Sequence, residues 1–391
     1  MTSFDKRVIY PGSTLGMVGG GQLGRMFALA ASSMGYRVAV YCHDENEPAA
    51  QVAHRRFLGP IDDLNSAAEF ATACDVVSLE FENIPVATMR TCQRHAPVRP
   101  GPELLRVAQD RGIEKRTLRD AGVPVTPFEI VADAPSASQF ADRHQWPIIV
   151  KTCRSGYDGR GQHRVESATD LDRVAFGSTD ADGNMIEWIA EKFIRFECEV
   201  SVVVARSALG EVTTFALFQN GHRNHILDVT EVPAAVKPNV HAKCDAIARQ
   251  IADHLQLEGV LCVEFFVVDN EPVVNEIAPR PHNSGHVTIE ACRTSQFEQQ
   301  VRAICNLPLG DPSLRVPAAG MLNLVGHDDH PPSSDRWKQW CDPAANLHWY
   351  GKGHCRKGRK MGHITMTGQT ADEVRQALER LRWVAGEKGE P

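Results

Sequence analysis

An α/β fold is predicted by three features of the sequence. Strand and helix patterns alternate through the N-terminal part, a glycine-rich turn follows the first strand, and a later pair of β-rich runs flanks a short polar turn. At 391 residues the chain is long enough for two or three domains. Its 42% hydrophobic and 23% charged content is ordinary for a globular protein. A net charge of −7 argues against general polyanion binding, so no nucleic-acid partner is expected and any phosphate recognition must be local. The 11 cysteines are scattered without a CxxC pair, which suggests reduced thiols in a cytoplasmic protein and not a disulfide framework or zinc site. No signal peptide is evident, and no run approaches the roughly 18 apolar residues of a membrane helix, so no membrane partner is expected.

Residues 14–18 read as the first strand, 25–34 carry apolar residues at helical spacing, and 37–41 read as a second strand. Between them, Gly19, Gly21 and Gly24 match G-x-G-x-x-G, a dinucleotide turn at a helix N-terminus. The acid expected about 20 residues further on would be Asp44 or Glu45. A bound anion or a tight strand-to-helix turn selects the same glycines, so a nicotinamide-dependent oxidoreductase is one reading among several. A third strand at 75–79 ends in Glu80-Phe81-Glu82-Asn83. Ligands of an open parallel sheet sit beyond the carboxyl ends of its strands, which makes Glu80 and Glu82 site candidates beside Gln22 and Leu23; a solvated loop is the alternative.

A second unit begins near Arg111, with a helix at 114–121 and an apolar strand at 147–151 ending in Lys151. Next comes RSGYDGRGQ, with Gly156, Gly159 and Gly161 close together, and then a strand-like 163–166. Such glycines let backbone N–H groups approach phosphates, and a nearby lysine adds charge. The usual phosphate loop would lead into a helix, so this one reads as a hairpin lid over phosphates or as a plain exposed hairpin. Strand residues 185–189 and Ile194 surround Glu191, Lys192 and Phe193, a strand end suited to an adenine edge. In the following strand, 199–205, Glu199 is placed to accept from ribose hydroxyls.

Residues 260–268 and 272–277 then read as a hairpin with a three-residue turn, Asp269-Asn270-Glu271. Pairing Val268 with Pro272 puts Glu264 opposite Glu276. Like charges in that position are destabilising, an arrangement that makes sense if both carboxylates hold a hard divalent cation such as Mg²⁺. A one-residue slip would instead turn each glutamate to water. Asn275, Arg280, His282, Asn283 and His286 crowd the same strand end.

Lys151, the GYDGRGQ loop, the EKFI segment with Glu199, and the Glu264…Asn275-Glu276 hairpin occur in the order seen in ATP-grasp ligases. Within that superfamily, GGQLGRM (20–26), EFENI (80–84), residues 156–162, NEIAPRPHNSGH (275–286) and HWYGKGHCRKGRKMGH (348–363) resemble the 5-(carboxyamino)imidazole ribonucleotide synthetase family. The likeness spans roughly 15–381. Val287 stands where that family usually has Trp, and Gly353-His354-Cys355 replaces a more charged stretch.

The resemblance implies an α/β ATP-grasp architecture: a Rossmann-like domain over 1–111, a small lid domain over 112–188, and a larger α+β catalytic domain with a C-terminal subdomain over 189–391. It implies a cytoplasmic homodimer that uses ATP and Mg²⁺ to phosphorylate bicarbonate and then carboxylates 5-aminoimidazole ribonucleotide. ATP would be held by Arg111, Lys151, the loop Gly156, Tyr157, Asp158, Gly159, Arg160, Gly161 and Gln162, then Glu191, Lys192, Phe193, Ile194, Glu199, His222, Asn275 and Glu276. Glu264 and Glu276 would hold the metal. Arg280, a planar fork suited to a small oxyanion, would bind bicarbonate, with Asp158 and Arg160 acting beside it in catalysis. The ribonucleotide would meet Gln22, Leu23, Glu80, Tyr157 and Asn283, with its phosphate on Lys352, Arg359 and Lys360. The rivals are a formate-dependent glycinamide ribonucleotide transformylase of the same superfamily and, from another class, the NAD-dependent oxidoreductase suggested by Gly19–Gly24.

Overall fold

The computed structural model describes residues 6–156, 161–180, 183–327 and 330–382. Thr14–Val18 (β1), Arg37–Cys42 (β2), Arg55–Leu58 (β3) and Val76–Leu79 (β4) form a parallel sheet in the order β3-β2-β1-β4. β1, β2 and β4 are almost wholly buried, as expected of parallel strands covered on both faces. β2 and β4 flank β1 on opposite sides, which opens a crevice at their carboxyl ends. The helix expected from residue 25 begins earlier, at Gln22, directly after the glycine turn.

Phe128–Val131 (β5), Ile148–Thr152 (β6), Gln162–Val165 (β7) and Trp188–Lys192 (β8) form an antiparallel sheet in the order β5-β8-β6-β7. Helix Ala134–His144 packs Phe140 and Ala137 against Val150, Ile148 and Trp188. The strand expected at 185–189 lies three residues later, so Glu191 and Lys192 are strand residues facing Phe128 and Ile148. The glycine-rich loop joins β6 to β7, with Lys151 opposite Gln162, which fits the hairpin reading of that segment.

The remaining strands form one large antiparallel sheet. They are Cys198–Arg206 (β9), Val212–Thr214 (β10), Phe218–Arg223 (β11), Ile226–Val232 (β12), Gly259–Val268 (β13), Glu271–Ala278 (β14), Ala318–Val325 (β15), Asn346–Trp349 (β16) and Lys360–Gly368 (β17). Their order is β14-β13-β9-β11-β12-β15-β17-β16, with β10 on β9. Helix Pro238–His254 covers one face through Cys244, Ala248 and Ile251 against Val202, Val204 and Val263. Val287 and Ala291 cover the other face against Val203, Cys262 and Met321. Burial on both faces explains why β9 reads as a nearly continuous apolar run.

Helix Gln296–Ile304 joins the N-terminal sheet to the large one. Its Phe297, Val301 and Ile304 share a core with Leu15, Met17 and Phe27, and Gln300 donates to Ser78 Oγ at 3.1 Å. The cleft between the sheets is thereby fixed at the carboxyl ends of β1 and β4. Among the described residues no helix is long and apolar enough to cross a membrane.

Candidate active site

All three sheets contribute to a cavity of about 890 Å³, within the range of roughly 300–1,000 Å³ usual for small-molecule sites. At its N-terminal end the Glu80 carboxylate, beyond β4, accepts from the backbone N–H groups of Gly21 and, at 3.0 Å, Leu23. A Cβ on Gly21 would lie 2.3 Å from Glu80 Oε1, so glycine is needed there to admit a carboxylate of the same chain. The helix N-terminus is therefore already capped by an anion, and this overturns the pyrophosphate reading of Gly19–Gly24. Asp44 and Glu45 are exposed, and Asp44 bonds Asn46 within its own turn, so neither is a ribose ligand. Burial raises the Glu80 carboxyl above its ordinary range, opposed by these N–H groups. Gln22 and Leu23 line the cavity beside it, as do Phe81, Glu82 and Asn83.

The central part is electrostatically dense. Lys151 Nζ, at the end of β6, lies 3.0 Å from Glu191 Oε2, and Lys115 Nζ lies 3.9 Å from the same oxygen. Burial would raise the Glu191 carboxyl, but the two lysines outweigh it and take it down to about 2. Arg111 donates to Gly156 O at 2.8 Å and Thr152 O at 3.3 Å and approaches Glu276 at 3.9 Å. Helix Arg111–Asp120 thus aims Arg111, Glu114 and Lys115, spaced three and four residues apart, at one place. Burial, and then the Glu276 charge, push the Glu114 carboxyl well above its ordinary value. Glu114 and Lys115 were not singled out from the sequence, although their helical spacing from Arg111 was a usable signal.

Gly156, Gly161 and Gln162 line the cavity on the loop side, and Lys192, Phe193 and Ile194 on the β8 side. Tyr157, Asp158, Gly159 and Arg160 lie outside the described residues. Glu199 Oε2 is 2.6 Å from His222 Nδ1; burial alone would lower this histidine, but the bond to Glu199 raises it. Phe196 and Phe266, stacked with centroids 4.7 Å apart, form an apolar wall that the sequence reading missed.

On the large sheet, Glu264 and Glu276 are a cross-strand pair. The turn is one residue shorter than expected: Asp269 and Asn270, both with positive φ, form it alone, and Glu271 pairs with Val268. A bulge beyond Glu264 leaves Asn275 unpaired and restores the predicted pairing of the two glutamates. Glu264 Oε1 is 3.1 Å from His282 Nε2. Burial would raise Glu264, but His282 holds it down, whereas enclosure and the Glu264 charge push Glu276 up. Among the described residues, no cluster of three or more His, Cys, Asp or Glu side chains is arranged to hold a metal by itself. Two carboxylates beside Asn275 instead fit Mg²⁺, which takes its other oxygens from phosphates and water.

Arg280 ion-pairs with Glu82 across the cleft at 2.7 Å, while its Nε and both amide atoms of Asn283 are buried without a partner among the described residues. Of the basic residues at 352–360, Lys360 lines the cavity; Lys352 lies behind it, donating to Lys360 O at 2.7 Å, and Arg359 turns to His354 O at 2.9 Å. Burial, reinforced by Arg359 and opposed by Glu80, lowers Lys352 to about 8.

Comparison with known proteins agrees with this geometry. Residues 13–109 match the ribonucleotide synthetase preATP-grasp domain family, 116–297 the ATP-grasp domain family, and 319–377 the phosphoribosylaminoimidazole carboxylase C-terminal domain family. The N5-carboxyaminoimidazole ribonucleotide synthase of Bacillus subtilis is 39% identical over 99% of both chains. The crystal structure of the Staphylococcus aureus N5-carboxyaminoimidazole synthetase complexed with ADP is similar at 34% identity and a TM-score of 0.88, covering 97% of this chain and 100% of that one. The Aspergillus clavatus enzyme in complex with ADP and 5-aminoimidazole ribonucleotide is similar at 27% identity and a TM-score of 0.85, covering 97% and 98%. With its fold, its cavity and these relatives in agreement, the chain belongs to the N5-carboxyaminoimidazole ribonucleotide synthase family of ATP-grasp enzymes.

Proposed function

We infer that the chain catalyses the ATP-dependent carboxylation of 5-aminoimidazole ribonucleotide to N5-carboxyaminoimidazole ribonucleotide in purine biosynthesis, with release of ADP and phosphate. The observation that carries the reading is the Glu264–Glu276 pair facing one cavity with Lys151 and Arg280. Phosphoryl transfer depends on positioning and charge neutralisation more than on covalent help, and Lys151, Arg280 and a cation held by the two carboxylates would serve both.

In the proposed reaction a bicarbonate oxygen attacks the γ-phosphorus of ATP and ADP departs, leaving carboxyphosphate. The exocyclic amine of the ribonucleotide then attacks the carboxyl carbon, the carbon–oxygen bond to phosphate breaks, and the amine proton passes to the departing phosphate or to solvent. Arg111, Lys151, residues 156–162, Glu191–Ile194, Glu199, His222 and Asn275 are assigned to ATP. Glu264 and Glu276 would hold Mg²⁺, which supplies charge neutralisation on the phosphates. Arg280 is assigned to bicarbonate, its fork held by Glu82. Gln22, Leu23, Glu80, Tyr157, Asn283, Lys352, Arg359 and Lys360 are assigned to the ribonucleotide. Asp158 and Arg160 are assigned to the amine and the developing charge, on the strength of the family resemblance alone. Carboxyphosphate hydrolyses readily, so a closing loop that excludes water would serve this chemistry.

The same resemblance supports the division 1–111, 112–188 and 189–391, a homodimer, and a cytoplasmic setting. Turnover of ATP with bicarbonate plus 5-aminoimidazole ribonucleotide, compared with formate plus glycinamide ribonucleotide, tests the reading. Activity with the first pair only is expected, and activity with the second pair alone would transfer the chain to the transformylases.

A further inference from the structure

A string of buried polar side chains runs from the middle of the large sheet to His282. Thr230 Oγ1 on β12 donates to Asn220 Oδ1 on β11 at 3.0 Å, and Asn220 Nδ2 donates to Ser201 Oγ on β9 at 2.9 Å. Ser201 Oγ is 2.8 Å from Ser284 Oγ, which is 2.8 Å from His282 Nδ1. The backbone N–H of Ser284 also points to that nitrogen at 3.3 Å. The other ring nitrogen, Nε2, meets Glu264. Thr230, Ser201 and Ser284 have no exposed surface and Asn220 is 7% exposed. None of the four lines the cavity.

Packing alone does not account for these residues. Ser201 shares its face of β9 with Val203 and Ala205, which belong to an apolar core with Phe218, Cys262 and Met321. Alanine or valine at 201, 220 and 230 would suit that core without requiring partners. Buried hydroxyl and amide groups are costly unless each is hydrogen-bonded. Here each is bonded to the next, and the string ends on the imidazole that touches Glu264, a carboxylate of the cavity. Sheet register aids this: Ser201 is the cross-strand neighbour of Glu264 on one side, as Glu276 is on the other. Two fixed points at Nδ1 and one at Nε2 set both the position and the rotation of the ring.

We propose that Ser201, Asn220 and Thr230, acting through Ser284, are positioning residues that hold the His282 imidazole against Glu264 during the reaction. The proposal deepens the function inferred above and rests on that reading of the Glu264 site. Orienting partners one layer behind a reacting group are commonly worth about 10–100-fold in activity.

The test is a double-mutant cycle. Ser201→Ala in the full-length protein is expected to lower kcat about tenfold, leaving the KM for ATP and the ADP affinity, read by fluorescence titration, within about twofold. Thr230→Val, which replaces the hydroxyl with a methyl group of similar size, should fall in the same direction and serves if Ser201→Ala does not fold. In a His282→Asn background the second substitution should cause no further fall, because the ring that transmits it is gone. An equal fall in both backgrounds, an unchanged kcat in the wild-type background, or a parallel loss of ADP affinity would overturn the proposal in favour of plain packing. A His282→Asn variant that retained the full rate would instead overturn the reading of the Glu264 site itself.

Discussion

Glu264 of β13 and Glu276 of β14 stand directly opposite each other, although the turn between their strands is two residues long. The bulge at Asn275 makes this possible: without the extra residue the register set by the turn would offset the two carboxylates. Like charges in that position destabilise a hairpin, a cost that the proposed Mg²⁺ would offset.

Glu276→Gln removes one of these charges while keeping the shape. ATP turnover should fall roughly 100-fold or more, with the fold intact by circular dichroism. Thermal stability measured without divalent cation should be unchanged or higher, since the repulsion from Glu264 is gone. Near-normal turnover at ordinary Mg²⁺ concentrations would remove Glu276 from the metal.

The assignment of Lys352 to the ribonucleotide is tested by comparing the two phosphate-bearing substrates. Lys352→Ala should raise the KM for 5-aminoimidazole ribonucleotide about tenfold or more while that for ATP stays nearly constant. Because burial and Arg359 lower this ammonium to about 8, it is charged below that pH and loses charge above it. The wild-type KM for the ribonucleotide should therefore rise between pH 7.5 and 9 by roughly the amount expected for loss of one anchoring charge, and the variant should lack that rise. Equal weakening of both substrates would place Lys352 in the fold or at ATP.

Glu82 crosses the cleft to Arg280 at 2.7 Å. Glu82→Ala frees the fork, and the KM for bicarbonate is expected to rise about five- to tenfold with little change for the ribonucleotide. A lower KM would mean that Glu82 competes with the anion for Arg280 instead of presenting the fork to it.

His286 and His363, packed ring to ring at 4.8 Å between the 283–287 segment and β17, are fully buried, and burial depresses both well below 6.5. In the unfolded chain each titrates near 6.5, so the unfolded state binds more protons just below that pH. The stability contributed by their neutral form is complete above about 6.5 and is lost as pH falls, by at most about 1.4 kcal/mol per pH unit for each ring. Carboxylates with depressed values, such as Glu191, add their own loss only below about 4.5. Raised carboxyls such as Glu114 act in the opposite direction over this range, so the comparison is between proteins: in urea unfolding between pH 7.5 and 5, His363→Gln should lose less stability on acidification than the wild type. The same pH dependence in both proteins would contradict the assignment.

What the sequence revealed follows a physical division. Strand periodicity brought Glu264 and Glu276 together even with the turn misjudged, because Asn275 compensates for the missing turn residue. The glycine turn was legible as an anion site, but the identity of the anion was not: Glu80, 59 positions after Gly21, reaches it only through the pairing of β1 with β4. Glu114 and Lys115 sit on a helix whose rotation is set by packing against helix Pro102–Ala108, β5 and β14. Ser201, Asn220 and Thr230 lie in three separate strands, and only the order of β9, β11 and β12 joins them. Local pattern shows which residues share a face of one element, whereas contacts between elements emerge from the assembled sheet.

The fate of bicarbonate oxygen tests the central claim most directly. With ¹⁸O-labelled bicarbonate, ATP, Mg²⁺ and 5-aminoimidazole ribonucleotide, phosphorylation of bicarbonate followed by transfer of its carboxyl group leaves the bridging oxygen on the released phosphate. Mass spectrometry should find one labelled oxygen in that phosphate for each carboxylated product formed. Phosphate carrying no label, or turnover that proceeds equally without the ribonucleotide or bicarbonate, would contradict the account.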